Sequence, residues 1–299
     1  MVSDRTVIET AGLTKRYDDI DALRGLDLQV PSGSIFGVLG RNGAGKTTTI
    51  KVLLGMARPT SGEARVFGLV PAGPRGVEIR QRTAFVSDDK DLYDYMTVGE
   101  MIAFTRSFYP RWRDDLEQQY LRKFELSSGR DIKNLSRGTR TKLSLLLALC
   151  RGAELLLLDE PTSGLDPAMA EDVLQALVGH VAREESTVFF SSHQLTEVEQ
   201  IADHVAIIDR GQTVVSGSLD DLRARYQRIQ LVFEGDAPEF KVHAPGTHRI
   251  TRKGRVVTIL SSSSGNEVVD EVRGYRPVSL DVSPVTLKEI FLESVRTED

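Results

Sequence analysis

The chain has 299 residues, 27% of them charged and 40% hydrophobic, the make-up of an ordinary globular protein long enough for two domains. With 38 Lys and Arg against 43 Asp and Glu, its net charge of −5 argues against a protein that grips nucleic acid through a broad basic face. Cys150 is the single cysteine, which excludes an intramolecular disulfide and a cysteine-built zinc site and fits a reducing cytosol.

The opening Met1-Val2-Ser3-Asp4-Arg5 has no apolar stretch, so no secretory signal is expected. From there to about residue 217, short β-like runs alternate with helical patterns, the rhythm of a mainly parallel sheet with helices packed on it. Residues 34–39 read as a strand buried on both faces, because the run shows no polar alternation. Residues 97–124 differ. Helical spacing at Val98, Met101, Ile102 and Phe104, and again at Leu116, Tyr120, Leu121 and Phe124, predicts a helical insert. An apolar helix follows over 142–150, with Cys150 on its apolar face as a small buried hydrophobe. Buried strands are then predicted at 154–158, 187–191 and 205–209. The longest apolar runs, 143–150 and 155–158, fall far below the roughly 18 residues that a membrane span needs. Past Gly217 the rhythm changes to a small α+β appendix, with helices over 219–226, 267–272 and 286–295 and strands over 229–233, 256–260 and 278–282. Gly/Ser/Pro-rich loops such as 261–265 separate them.

Two motifs carry chemistry. Gly40-Arg41-Asn42-Gly43-Ala44-Gly45-Lys46-Thr47 matches the phosphate-binding pattern G-x-x-x-x-G-K-[ST], between a predicted strand and a predicted helix. Glycines let the backbone curl so that successive N–H groups face a phosphate, and the next helix adds its partial positive end. Lys46 brings a full charge, Thr47 a hydroxyl suited to Mg²⁺, and Thr48 a donor to a neighbouring phosphate oxygen. The buried strand at 154–158 ends in Asp159-Glu160, the placement that sets acids beside such a loop. Asp159 is expected to hold the metal and Glu160 to polarise the attacking water.

Four further segments follow a known order: Leu135-Ser136-Arg137-Gly138-Thr139, Ser163-Gly164-Leu165-Asp166, His193, and Tyr17 ahead of them all. With the two motifs they resemble the ATP-binding subunit of ABC transporters across residues 7 to about 217. The resemblance implies a P-loop α/β core with a parallel-rich sheet, an antiparallel β-subdomain and a helical insert at about 88–150. It thus implies an ATP-binding domain over 1–217, and the changed rhythm beyond it leaves an α+β accessory domain over 218–299. It further implies that Tyr17 stacks on adenine, and that Gly40, Asn42, Gly43, Ala44, Gly45, Lys46, Thr47 and Thr48 hold the nucleotide. Ser136, Arg137 and Gly138 would meet the ATP of a partner subunit, 163–166 would form an inter-subunit loop, and His193 would contact the γ-phosphate. Ser136 and Gly138 also sit where an apolar helix begins, which is a good anion site.

The pattern departs in two places. Arg137 and Thr139 replace the third and fifth residues of the family's Leu-Ser-Gly-Gly-Gln, and Asp88 stands where a glutamine joins metal and water to the insert. Asp88 can still ligate Mg²⁺, but it is shorter and charged. In the family, this side of the molecule receives a short helix from a membrane subunit; Tyr93, Met96 and Trp112 are expected to form that surface, with Phe104 and Phe108 packed inside the insert. The expected protein is an Mg²⁺-dependent ATPase in a homodimer, or in a heterodimer with a second such subunit, driving an integral membrane permease. It would sit in the cytoplasm, peripheral on the inner face of the membrane. The likeness of 108–112 to bacterial export-type subunits implies export. Two other readings use the same motifs: a soluble ATP-switched factor on ribosome or nucleic acid, which tandem cassettes or a coiled-coil insertion would favour, and an idle regulator beside an active partner.

Overall fold

The computed structural model describes residues 6–89, 92–239, 241–262 and 266–295. They divide into two compact units, 1–216 and 217–299.

The first unit begins with β1 (Thr6–Tyr17) and β2 (Ile20–Pro31), followed by β3 (Ile35–Leu39) and α1 (Lys46–Leu53). Next come β4 (Ser61–Val66), α2 (Gly76–Arg82) and β5 (Thr83–Val86), then the insert helices α3 (Val98–Arg106) and α4 (Asp114–Lys123), and α5 (Arg137–Leu149). It ends with β6 (Leu155–Asp159), α6 (Pro167–Glu184), β7 (Thr187–Ser192), α7 (Leu195–Ile201), β8 (His204–Asp209) and β9 (Gln212–Ser218).

A six-stranded sheet runs β5-β6-β7-β3-β8-β9, with parallel pairing from β5 through β8. All five residues of β3 and all five of β6 are buried, as strands covered on both faces must be. Phe36 of β3 stacks on Phe189 of β7 with ring centres 5.9 Å apart. Because the neighbours are parallel, β3, β6 and β7 all end on one edge, with Leu39 beside Ser192 and Asp159 beside Ser191. Chemistry gathers at that edge. A three-stranded antiparallel sheet, β2-β1-β4, forms the second layer of this unit, as the resemblance implied.

The helical insert is present. Thr97 accepts the Glu100 N–H while Glu100 accepts the Thr97 N–H, a capping box that starts α3. Ser136 accepts the Thr139 N–H and caps α5, whose buried side is Leu143, Leu145, Leu146 and Leu149. Strand β9 was not expected from the sequence: its residues alternate between half-buried and exposed. It follows β8 through Arg210 and Gly211, both at positive φ (47° and 81°), the conformation of a two-residue hairpin turn.

The second unit holds α8 (Leu219–Arg225), β10 (Gln227–Val232), β11 (Thr247–Lys253), β12 (Val256–Ser261), α9 (Asn266–Arg273), β13 (Ser279–Pro284) and α10 (Leu287–Ser294). Its four strands form an antiparallel sheet, β11-β12-β10-β13, whose Ile229, Leu231, Val257 and Ile259 pack with Val268 and Val272 of α9. The predicted elements fall within a few residues of those observed, but β11 was not anticipated. Its sequence holds a single large apolar residue, Ile250, which is itself exposed on the sheet edge. Part of the 261–265 loop lies outside the described residues.

Candidate functional site

The loop 40–45 leaves β3 and enters α1 at Lys46. Gly45 has φ 111°, and a side chain there would come within 2.7 Å of the Ala22 carbonyl. At Gly40 a side chain would meet the Ile208 carbonyl at 2.6 Å. Only glycine fits such approaches. The loop is backed by the β8–β9 turn, since Gly211 N–H donates to the Ala44 carbonyl at 3.0 Å and the Gly211 carbonyl accepts from Arg24 N–H at 2.8 Å. Ala44 is buried, Gly43 turns at φ 81°, and Asn42 and Thr47 face solvent beside a half-buried Thr48. The N-terminal amides of α1 therefore point into the curl as an anion-binding end.

Lys46 is 7% exposed, and its Nζ donates to the Gly40 carbonyl at 2.8 Å. The same Nζ lies 3.1 Å from Glu160 Oε1, and Glu160 Oε2 lies 2.8 Å from His193 Nδ1. Loop, β6 and β7 thus each contribute one member of a line of three, at the shared strand edge. Glu160 adopts φ 48°, a left-handed conformation costly for a residue with a side chain. It reverses the chain directly after β6.

Ser191 was missed by sequence reasoning. Its Oγ donates to Asp159 Oδ1 at 2.7 Å and accepts the Glu160 N–H at 2.9 Å, tying both acids to β7. The signal was there: a hydroxyl two residues before His193, directly after the apolar run Val188-Phe189-Phe190.

A second group forms around the start of α5. A Cβ at Gly138 would lie 2.2 Å from Met169 Sδ and 3.5 Å from Leu165, so the glycine admits this close packing. Arg137 Nη2 donates to Ser163 Oγ at 3.4 Å, and a Cβ at Gly164 would fall 2.6 Å from the same guanidinium. Asp166 caps α6 by accepting the Met169 N–H at 2.9 Å. Asp88 lies here as well, with Oδ1 3.7 Å from Arg137 Nη2. Tyr17 ends β1 opposite Ile20, is 42% exposed, and carries Lys15 Nζ 4.6 Å from its ring centre.

The aromatic surface differs from expectation. Phe104 and Phe108 are exposed rather than packed inside the insert, because α3 turns Val98, Met101 and Ile102 inward, leaving Phe104 on its flank and Phe108 just past its end. They join Tyr93 and Tyr95 in a run of ring contacts, with centres 5.6, 5.7 and 5.1 Å apart along Tyr95–Tyr93–Phe104–Phe108. Met96 and Trp112 are only half exposed, and Trp112 Nε1 donates to Glu117 at 2.8 Å.

Among the described residues no three His, Cys, Asp or Glu side chains gather as a metal cage, and no helix is long and apolar enough to cross a membrane. The hydroxyl of Thr47 and the carboxylate of Asp159 are hard oxygen donors of the kind Mg²⁺ takes in ones and twos beside substrate phosphates.

Comparison with known proteins agrees with this architecture. Residues 23–163 match the family model described as ABC transporter, and residues 217–295 match that described as ATP-binding protein DrrA1-3-like, C-terminal domain. The chain is 33% identical to the bacitracin transport ATP-binding protein BcrA of Bacillus licheniformis, over 82% of this chain and 85% of that one. It is 31% identical to the Nod factor export ATP-binding protein I of Rhizobium meliloti, over 95% of this chain and 87% of the relative. A solved structure titled as the ATP-binding subunit of an ABC transporter is 27% identical and superposes with a TM-score of 0.66, covering 73% of this chain and 92% of its own. With its phosphate-binding loop, paired acids and histidine on one sheet edge, the chain belongs to the family of ABC transporter ATP-binding proteins and is an ATPase of that family.

Proposed function

We propose that this protein hydrolyses Mg²⁺-ATP at an interface between two subunits and thereby drives a separate membrane permease. The line Lys46–Glu160–His193 beside the glycine loop carries this reading. Loop 40–48 cradles the phosphates through backbone amides and Lys46, and Tyr17 offers an exposed ring to the adenine. Thr47 and Asp159 would hold Mg²⁺, which would shield phosphate charge; Asp88, named with them in the sequence reading, instead faces Arg137. Glu160 accepts a proton from water as its oxygen bonds to the γ-phosphorus and the bond to the ADP oxygen breaks. His193, hydrogen-bonded to Glu160, orients that carboxylate and faces the transferring group. Ser136, Arg137 and Gly138, with the 163–166 loop, meet the partner's nucleotide; a second copy and a close relative both suit the partner.

The exposed run Tyr95–Tyr93–Phe104–Phe108 suits docking of a permease helix, since a clustered aromatic surface is costly to leave in water. One relative is named for bacitracin transport and one for Nod factor export, and the second name supports outward transport, with this subunit at the cytoplasmic face of the membrane as part of the same reading.

The test is Glu160→Gln. The amide keeps the shape but cannot take the proton, so ATP binding should persist, turnover should fall by about 10²–10⁴, and gel filtration with ATP should show a dimer. Lys46→Ala should instead weaken nucleotide binding. A Glu160→Gln protein with normal turnover would overturn the assignment.

A further inference from the structure

Arg137 is where three segments distant in sequence meet. Its guanidinium lies 3.7 Å from Asp88 Oδ1, donates to Ser163 Oγ at 3.4 Å, and spreads so close over Gly164 that a Cβ there would lie 2.6 Å away. Gly164 sits at φ 69°, so the loop offers a bare backbone surface to the arginine. One helical turn later Arg140 makes a parallel contact, its Nη2 2.6 Å from Asp94 Oδ1. The start of α5 is thus joined to Asp88 and to Asp94 by two ion pairs, and through Arg137 to Ser163. A cavity of about 390 Å³ lined by Asp88, Asp89, Arg137 and Arg140 opens beside them. Asp88 and Arg137, two of the three residues at which the sequence departs from the pattern it resembles, face each other.

We propose that Asp88 is a positioning residue that acts through Arg137: its carboxylate fixes the guanidinium so that the α5 N-terminus and the Ser163–Gly164 turn are presented to the second subunit together. This rests on the reading that residues 136–138 meet the partner's ATP. The side chains of the pair are 45% and 57% exposed, so its contribution to folding stability is small. What it supplies is orientation. An unpaired arginine sweeps many rotamers, whereas one whose Nη2 sits between a carboxylate and a hydroxyl occupies a narrower arc.

The proposal separates from a metal-ligand role by a double-mutant cycle on the full chain, with steady-state ATPase measured against both ATP and Mg²⁺. Asp88→Asn is expected to lower kcat about tenfold, with the KM for ATP and the Mg²⁺ requirement each unchanged within about twofold. In the Arg137→Gln background the same change should cost no further activity, because the group through which Asp88 acts is gone. The exchanged pair, Asp88→Arg with Arg137→Asp, should recover at least about threefold over the poorer single variant. Independent, multiplying losses in the double variant overturn the proposal, as does an Asp88→Asn protein that needs more Mg²⁺ in either background, or a fall in unfolding midpoint that tracks the lost rate. ATP-dependent dimerisation of Glu160→Gln is read beside these: if it fails, the inter-subunit reading fails, whereas if it holds and the cycle is additive, only the Asp88–Arg137 link is lost.

Discussion

Ser191 is fully buried, and its hydroxyl serves two masters, donating to Asp159 and accepting from the Glu160 amide. Asp159 is itself 3% exposed, so removing the hydroxyl leaves a buried carboxylate oxygen and a backbone N–H short of a partner. An unmet buried donor or acceptor costs roughly 1–3 kcal/mol. Ser191→Ala should therefore lower stability by about that amount, measured by urea unfolding, and slow turnover by about tenfold as Glu160 loses its register to Lys46 and His193. Turnover unchanged in a folded Ser191→Ala protein would show that Glu160 is held by its side-chain contacts alone. Cys150 is the opposite kind of residue: burial pushes its thiol pKa up, so it behaves as a small apolar filler and not as a nucleophile.

Helix α6 carries the one buried histidine of the described residues, His180, whose pKa burial lowers to about 4 from an ordinary 6.5. Its Nδ1 has no hydrogen-bond partner among the described residues, and it lines a polar cavity with Arg113 and Glu184. The unfolded chain binds a proton at this site below pH 6.5, while the folded chain stays neutral until about pH 4, so stability is lost as pH falls through that window. From pH 7.5 to 5 the loss should be about 2 kcal/mol, seen as a drop in urea midpoint that is shallower in His180→Gln. An equal slope in that variant would place the acid sensitivity elsewhere. How far such elements were legible in the sequence depended on burial. Strands β3, β6, β7 and β8 have cores covered on both faces and read as apolar runs of three to five residues. β9 and β11 are half open to water, carry few large apolar residues and gave no comparable signal. The glycine loop and the Asp159-Glu160 end were legible because each job is done by neighbours in sequence. The Ser191 and Asp88 contacts join residues from different segments, and local pattern cannot encode a meeting that only the tertiary fold arranges.

At the scale of the whole molecule, two groups remain: Lys46, Glu160 and His193 on the strand edge, and Ser136, Arg137 and Gly138 at the start of α5. If each subunit lends the second group to the nucleotide held by the other's first, then neither is complete alone, and rate depends on how many chains are paired. Specific activity should fall in proportion to protein concentration below the dimer dissociation constant and level off above it. A sharper check uses two disabled chains. Lys46→Ala breaks the phosphate loop, and Ser136→Glu sets a negative charge where a phosphate is expected; each alone should be nearly inactive. In a mixed dimer one site combines both defects, while the other joins the intact loop of one chain to the intact α5 start of its partner. Random pairing makes half the dimers mixed, each with one working site of two, so an equal mixture should recover about a quarter of the normal rate. A rate that stays flat on dilution to monomer, with no recovery on mixing, would mean that a single chain carries out the whole reaction and that the α5 start serves only the fold.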